Sequence, residues 1–263
     1  MRALGHRLDC ADLGGWLPPG GSVHIVLSGP SIATIAEPTR LAMRPTVVVN
    51  GSFRVLLDAG CSADLYVVSD VGFVRRQWSR FVAGVRASRA LALDHRVLLE
   101  VLRRDPEALA GKQLRLFDNL LRPYGRSARW WSGAIPATVR RRDRTAAFSV
   151  DPAFGYFPSC TVAYLALQMA ASQRPARIVL FGLDLGGARR YYDEAQPEQS
   201  MLQRDLQRCI LPHLRLAAQT LADLGIAVHN ASPDSAVPAS IFPRMSPSEY
   251  LQDLHRDDRE RPA

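Results

Sequence analysis

The stretch Val23-His24-Ile25-Val26-Leu27-Ser28-Gly29-Pro30-Ser31 decides the fold. Its first five residues form a short, largely apolar and β-branched run, which reads as a strand buried on both faces. The run stops at a Ser-Gly-Pro-Ser turn, and Ser31 is placed to cap a helix opening over 32–36. A buried strand that ends in a glycine turn and feeds a helix is the opening unit of a parallel α/β sheet.

Outward from this unit the grammar repeats. Thr46-Val47-Val48-Val49 ends at Asn50-Gly51-Ser52 and is followed by a short helix over 53–59 that Gly60 stops. Leu65-Tyr66-Val67-Val68 ends at Ser69-Asp70. The segment 75–107 is basic and mostly helical, with a strand near 89–93. Residues 159–172 form a helix apolar on most faces, hence buried, with Ser159 at its head either as a cap or as part of a phosphate cradle. Ile178-Val179-Leu180-Phe181 ends at Gly182-Leu183-Asp184-Leu185. A long helix over 199–224 is interrupted near Pro212 and stopped by Gly225, and Ile226-Ala227-Val228-His229 ends at Asn230-Ala231-Ser232-Pro233. This pattern implies one Rossmann-like, doubly wound, mainly parallel α/β sheet over 1–255, with a charged tail at 256–263 that frays. Residues 121–151 break the pattern with Pro, Gly, Trp and Arg clusters and read as an inserted basic, lid-like segment.

Hydrophobic residues make up 47% and charged residues 22% of the 263 positions, ample for a sizeable core. The net charge is +8, carried almost wholly by arginine because Lys112 is the only lysine, and it points to anionic partners. Cys10, Cys61, Cys160 and Cys209 lie far apart without metal spacing, which suggests free thiols in a reducing compartment. No apolar run is long enough for a signal peptide or a membrane span, so a cytoplasmic location is expected, with any membrane contact peripheral.

In open parallel sheets ligands sit at the carboxyl ends of the strands. The turns found there nominate Ser28, Gly29, Ser31, Asn50, Gly182, Asp184 and Ser232 as nucleotide-binding residues, with Ser159 and Thr161 as a second phosphate cradle at a helix start. Each turn alone could be only a turn. The first loop is neither G-x-G-x-x-G nor a P-loop, which disfavours a dinucleotide enzyme or a common ATPase. No Asp-x-Asp pair appears, so neither a metal nor any other cofactor is expected.

The blocks Val26–Ser31, Val48–Ser52, Tyr66–Phe73, Phe154–Tyr164, Ala176–Leu185 and Tyr191-Tyr192-Asp193-Glu194 resemble the lipopolysaccharide core biosynthesis proteins that add a third Kdo (3-deoxy-manno-octulosonic acid) residue, the RfaZ/WaaZ type. The resemblance covers about 23–245 and is poor over 74–150. A more distant layout is similar to bacterial sialyltransferases that use CMP-sialic acid. It implies a CMP-Kdo donor, a lipid A–inner core acceptor and a glycosyltransferase at the inner face of the inner membrane. Tyr191 or Tyr192 would then contact the donor phosphate, and the base would come from Asp70, Asp193, Glu194 or His213. Trp130 and Trp131 with Arg140, Arg141 and Arg142 would meet the anionic membrane and glycolipid, and no nucleic-acid motif accompanies them. A pterin pyrophosphokinase-like enzyme, or a non-catalytic partner in core assembly, stays open as an alternative.

Overall fold

A computed structural model describes residues 2–12, 15–17, 20–121, 138–142, 146–151, 154–187, 190–192 and 202–260. The chain opens with a small antiparallel pair, β1 (Arg2–Ala3) and β2 (His6–Arg7). The central sheet uses β3 (Ser22–Val26), β4 (Thr46–Val49), β5 (Ala63–Val68), β6 (Ser88–Asp94) and β7 (Gln113–Phe117). A hairpin of β8 (Val139–Arg141) and β9 (Ala147–Ser149) follows, and then β10 (Arg177–Phe181) and β11 (Ala227–Asn230) complete the sheet. Its order is β11-β10-β3-β4-β5-β6-β7, all parallel. The chain therefore builds outward from β3 to β7, returns, and builds the other way through β10 and β11. The point of reversal lies between β3 and β10, where a doubly wound sheet opens a crevice.

Strand residues alternate between two cores. Ile25, Val47, Leu65 and Leu180 face one, while Val26, Val48, Tyr66 and Phe181 face the other. The first core is covered by α5 (Val162–Ala171), α7 (Leu211–Asp223) and the β8–β9 hairpin. The second lies under α1 (Arg54–Asp58), α2 (Val71–Arg76), α3 (Trp78–Arg86), α4 (His95–Arg104) and α8 (Pro247–Glu260). Burial on both faces is why these strands read as unbroken apolar runs. His24 is the polar residue inside β3. Its Nδ1–H donates to the Leu41 carbonyl at 2.8 Å and its Nε2 accepts from the Tyr250 hydroxyl at 3.0 Å. Complete burial lowers its pKa from 6.5 to about 4, so the ring is neutral in the folded chain.

Several local expectations change. The turn after β3 continues as a 3-10 helix, Pro30–Thr34, capped by Gly29 without a side-chain bond, so Ser31 is no helix cap. Thr161, not Ser159, caps α5, its side chain accepting from Ala163 N at 3.3 Å. The long helix splits into α6 (Leu202–Asp205), a π turn over Leu206–Ile210, and α7. Pro212 has no N–H for the Arg208 carbonyl, and Leu211 N bonds Leu206 O, five residues back. α8 runs to Glu260, so the tail is helical well past 256. Part of the inserted segment is the β8–β9 hairpin, whose Phe148 is fully buried against Tyr164. Cys160 and Cys209 are joined in a disulfide, Cα atoms 6.2 Å apart, which corrects the expectation of four free thiols. Their separation of 49 hides the pairing in the sequence. Cys10 and Cys61 are free.

Candidate active site

The carboxyl ends of β3 and β10 meet back to back. Leu27 N donates to Phe181 O at 2.8 Å and Gly29 N to Gly182 O at 3.0 Å. A Cβ on Gly29 would lie 2.5 Å from Gly182 O, and one on Gly182 would lie 2.7 Å from Leu27 O. Both glycines are thus demanded by backbone proximity, and Gly182 also sits at φ +71. Asp184 locks the two loops together, its Oδ2 accepting from Ser31 N at 3.1 Å and Ser31 Oγ at 2.9 Å. From beneath, the Ser232 hydroxyl accepts from Leu183 N at 2.8 Å.

These loops border a cavity of about 450 Å³ along the strand ends. It gathers Ser28, Gly29, Asn50, Asp70, Ser159, Thr161, Gly182 and Asp184, so eight of the sequence-nominated residues share one trench. Ser31 holds Asp184 at its edge, while Ser232 is wholly buried below the loop and does not line it. Asn50 sits at φ +47, and its buried side-chain oxygen has no hydrogen-bond partner. An unsatisfied acceptor at positive φ in a cleft makes Asn50 a candidate contact for a ligand. The turn around it is pinned because Ser52 Oγ donates to Val26 O at 2.6 Å and accepts from Val49 N at 2.8 Å. Asp70 occupies the N-cap position of α2 but makes no cap bond. It lines the trench, its carboxylate half-exposed and 4.0 Å from Arg76.

The structure adds residues that the sequence reading passed over. Arg190 lines the trench, and its guanidinium donates to Ser28 Oγ at 3.4 Å. Two charges and a helix start frame this end: Arg190, Asp184 and the N-terminus of α5, whose dipole favours an anion. Cys160 lines the same end, so the disulfide ties α5's leading loop to the π turn at the trench wall. Asn119 and Tyr156 close the other end. The adjacency of Arg190 to Tyr191-Tyr192 was the available signal for the arginine.

Tyr191 and Tyr192 line a separate hollow with Arg54, Gln77 and Arg80. Arg80 stacks 4.4 Å over the Tyr192 ring, and that ring fills the space a Gly51 side chain would need. His213 is buried beside Tyr164, its Nδ1–H donating to Cys209 O at 2.7 Å, and it does not line the trench. Arg140, Arg141 and Arg142 are exposed on the hairpin, with Arg140 3.5 Å from Asp223. Asp193, Glu194, Trp130 and Trp131 lie outside the described residues.

A parallel doubly wound sheet with a polar cleft at its switch point defines a Rossmann-like α/β protein. The same fold is seen over 91% of this chain in the structure of MAf glycosyltransferase from Magnetospirillum magneticum AMB-1, with a TM-score of 0.53 and 15% identity. This chain spans 36% of that one, so the likeness is one of fold. Residues 129–248 match the family described as 3-deoxy-D-manno-octulosonic acid transferase WaaZ. The chain is 29% identical over 250 residues to the probable 3-deoxy-manno-octulosonic acid transferase of Salmonella typhimurium, covering 89% of this chain and 90% of that protein. It is likewise 29% identical over 256 residues to the Escherichia coli protein of the same description, with coverages of 90% and 85%. Over these residues the chain is similar to proteins of the WaaZ type.

Proposed function

We propose that this protein is a glycosyltransferase that moves a Kdo residue from CMP-Kdo to the lipid A–inner core of lipopolysaccharide. The observation that carries this reading is the trench itself. At its β3–β10 end, Gly29 and Gly182 expose backbone while Arg190 and the α5 N-terminus offer positive charge, which suits a nucleotide phosphate. Asp184, one oxygen taken up by Ser31, positions the loop and presents its other oxygen to ribose hydroxyls. Asn50 offers its unsatisfied acceptor to the donor.

Transfer requires the acceptor oxygen to bond the anomeric carbon as the bond from that carbon to the phosphate breaks, with CMP leaving on the electron pair. Of the four candidate bases, Asp70 is the one that lines the trench among the described residues, and we assign it the acceptor proton. Arg190 and the N–H donors stabilise the departing phosphate, so no divalent metal is required. Tyr191 and Tyr192, lining another hollow, support the Asn50-Gly51 turn in this reading. The protein would work on the inner face of the inner membrane. No helix among the described residues is long and apolar enough to cross a membrane, and the exposed Arg140–Arg142 triplet would attract anionic lipid.

The test is purified protein incubated with CMP-Kdo and lipid A–core in EDTA, followed by mass spectrometry of the glycolipid. Gain of one Kdo residue is expected. CMP-Kdo and glycolipid both unchanged, with or without Mg²⁺, would overturn the assignment. Turnover that needs ATP and Mg²⁺ would favour a pyrophosphokinase-like chemistry instead.

A further inference from the structure

The far end of the trench differs in chemistry from the end that suits phosphate. Ser69 closes β5, Asn119 follows β7, and Tyr156 lies alongside Asn119, all three lining the cleft. Leu120 N donates to Tyr156 O and Tyr156 N to Asp118 O, both at 2.9 Å, so this backbone is stitched to the continuation of β7. Gly155 sits at φ +132, and a Cβ there would lie 2.6 Å from the Leu120 side chain. On the other side, buried Gln168 of α5 clamps Phe157, accepting from its N–H and donating to its carbonyl, each at 2.9 Å. Tyr156 is therefore held from both flanks, its ring edge-on to Phe117 at 5.0 Å.

Behind Tyr156 stands a carboxylate that the proposed chemistry does not use. Asp94, at the end of β6, is 3% exposed. It caps α4 through Arg96 N at 2.8 Å and accepts from the Tyr156 hydroxyl at 3.5 Å. Ser69 and Asn119 line the same cleft. Burial raises the pKa of both Asp94 and Tyr156. A buried acid costs stability unless it is hydrogen-bonded, and here Asp94 accepts from Arg96 N and from the Tyr156 hydroxyl, fixing the direction of a phenol at the cleft wall.

We infer that Ser69, Asn119 and Tyr156 form the subsite for the hydroxyl-rich end of the transferred sugar, with Asp94 as the positioning residue behind Tyr156. This rests on the glycosyltransferase reading. In a CMP-linked 2-keto sugar acid, the phosphate and the carboxylate share the anomeric carbon, so all negative charge sits at one end and only hydroxyls at the other. The two ends of the trench differ accordingly: Arg190, with Asp184 tied up by Ser31, and a helix N-terminus at one end, amide and hydroxyl groups beside Asp70 at the other, with Asp94 buried behind them. Two strand spacings, roughly 10 Å, separate the end of β3 from Ser69 after β5, the edge of the subsite nearest the phosphate end.

The test measures binding of CMP and of CMP-Kdo, without acceptor, to wild type, Tyr156→Phe, Asp94→Asn and the double variant. Asparagine still caps a helix, and phenylalanine preserves the ring, so both folds should survive. Ser69→Ala serves as a second reporter should Tyr156→Phe fail to fold. We expect CMP affinity to hold within about twofold, while the extra affinity of CMP-Kdo over CMP drops roughly tenfold in Tyr156→Phe. Asp94→Asn should lose a similar increment and add nothing to Tyr156→Phe, because it acts through that hydroxyl. An intact increment in Tyr156→Phe, with wild type binding both ligands, overturns the subsite and leaves the function standing. Fully additive losses overturn the role of Asp94. Wild type that binds neither ligand overturns both proposals.

Discussion

Replacing Gly29 with alanine separates two physical explanations by the sign of the effect. Gly29 adopts φ −66 and ψ 153, a conformation that alanine takes without strain. If only chain entropy mattered, Gly29→Ala would stabilise the fold by about 0.4–1 kcal/mol. The packing says the reverse. A Cβ would stand 1.9 Å from Asp184 Oδ2 and 2.5 Å from Gly182 O, and the carboxylate would have to retreat by about 1.5 Å to reach ordinary contact at 3.4 Å. That retreat breaks the bonds from Ser31 N and Oγ, while the Gly182 carbonyl cannot withdraw without parting β3 from β10. Overpacking, with the two Ser31 bonds re-formed to water rather than lost outright, amounts to a loss of about 2–4 kcal/mol, or roughly 5–15 °C in Tm. Urea unfolding followed by circular dichroism measures it directly. Adding Asp184→Ala should recover only part of the loss, since the Gly182 clash remains. A single Gly29→Ala variant as stable as wild type, or more stable, would refute the back-to-back packing of these loops.

Other predictions follow from single sites. Folded His24 takes a proton only near pH 4, whereas the unfolded residue takes it near 6.5. Stability should therefore be full above pH 6.5 and fall by about 3 kcal/mol as the pH drops to 4. Urea melts of wild type and His24→Gln across this window test it, and equal acid slopes would dismiss His24 as the cause. Reducing the Cys160–Cys209 disulfide, whose partners lie 49 residues apart, should cost up to about 4 kcal/mol. Thiol labelling of the unfolded, unreduced protein at all four cysteines would show that the bond is absent. Asn50→Gly should leave stability unchanged or slightly raised, because φ +47 suits glycine, yet weaken CMP binding roughly tenfold. Unaltered CMP titrations would remove Asn50 from the binding residues.

What the sequence displays depends on how a segment is buried. β3, β4, β5 and β10 are covered on both faces and announce themselves as apolar runs, so their ends, and most of the trench, are legible by rule. β7 is an edge strand whose Gln113 and Arg115 interrupt the run, and it escapes such a reading. Arg115 is nonetheless buried, held by the Asp12 carbonyl and Gln113. Asp94 obeys the same strand-end rule as Asp70, so it was within reach of the sequence, but β6 is embedded in a basic helical stretch that masks the strand end. Tyr156 was not, because long-range contacts rather than local pattern place it in the cleft, and Arg190 was signalled only by its place beside Tyr191-Tyr192. The cap of α5 misses by two residues, since Ser159 and Thr161 are equally good caps and only packing chooses between them.

The central claim is that transfer takes place in this trench with Asp70 as base. It is tested most directly by measuring Kdo transfer and CMP affinity side by side for wild type and Asp70→Asn. The geometry predicts that Asp70→Asn binds CMP like wild type, because the phosphate end is untouched, and transfers about 10²–10⁴-fold more slowly. Transfer by Asp70→Asn at the wild-type rate would contradict it.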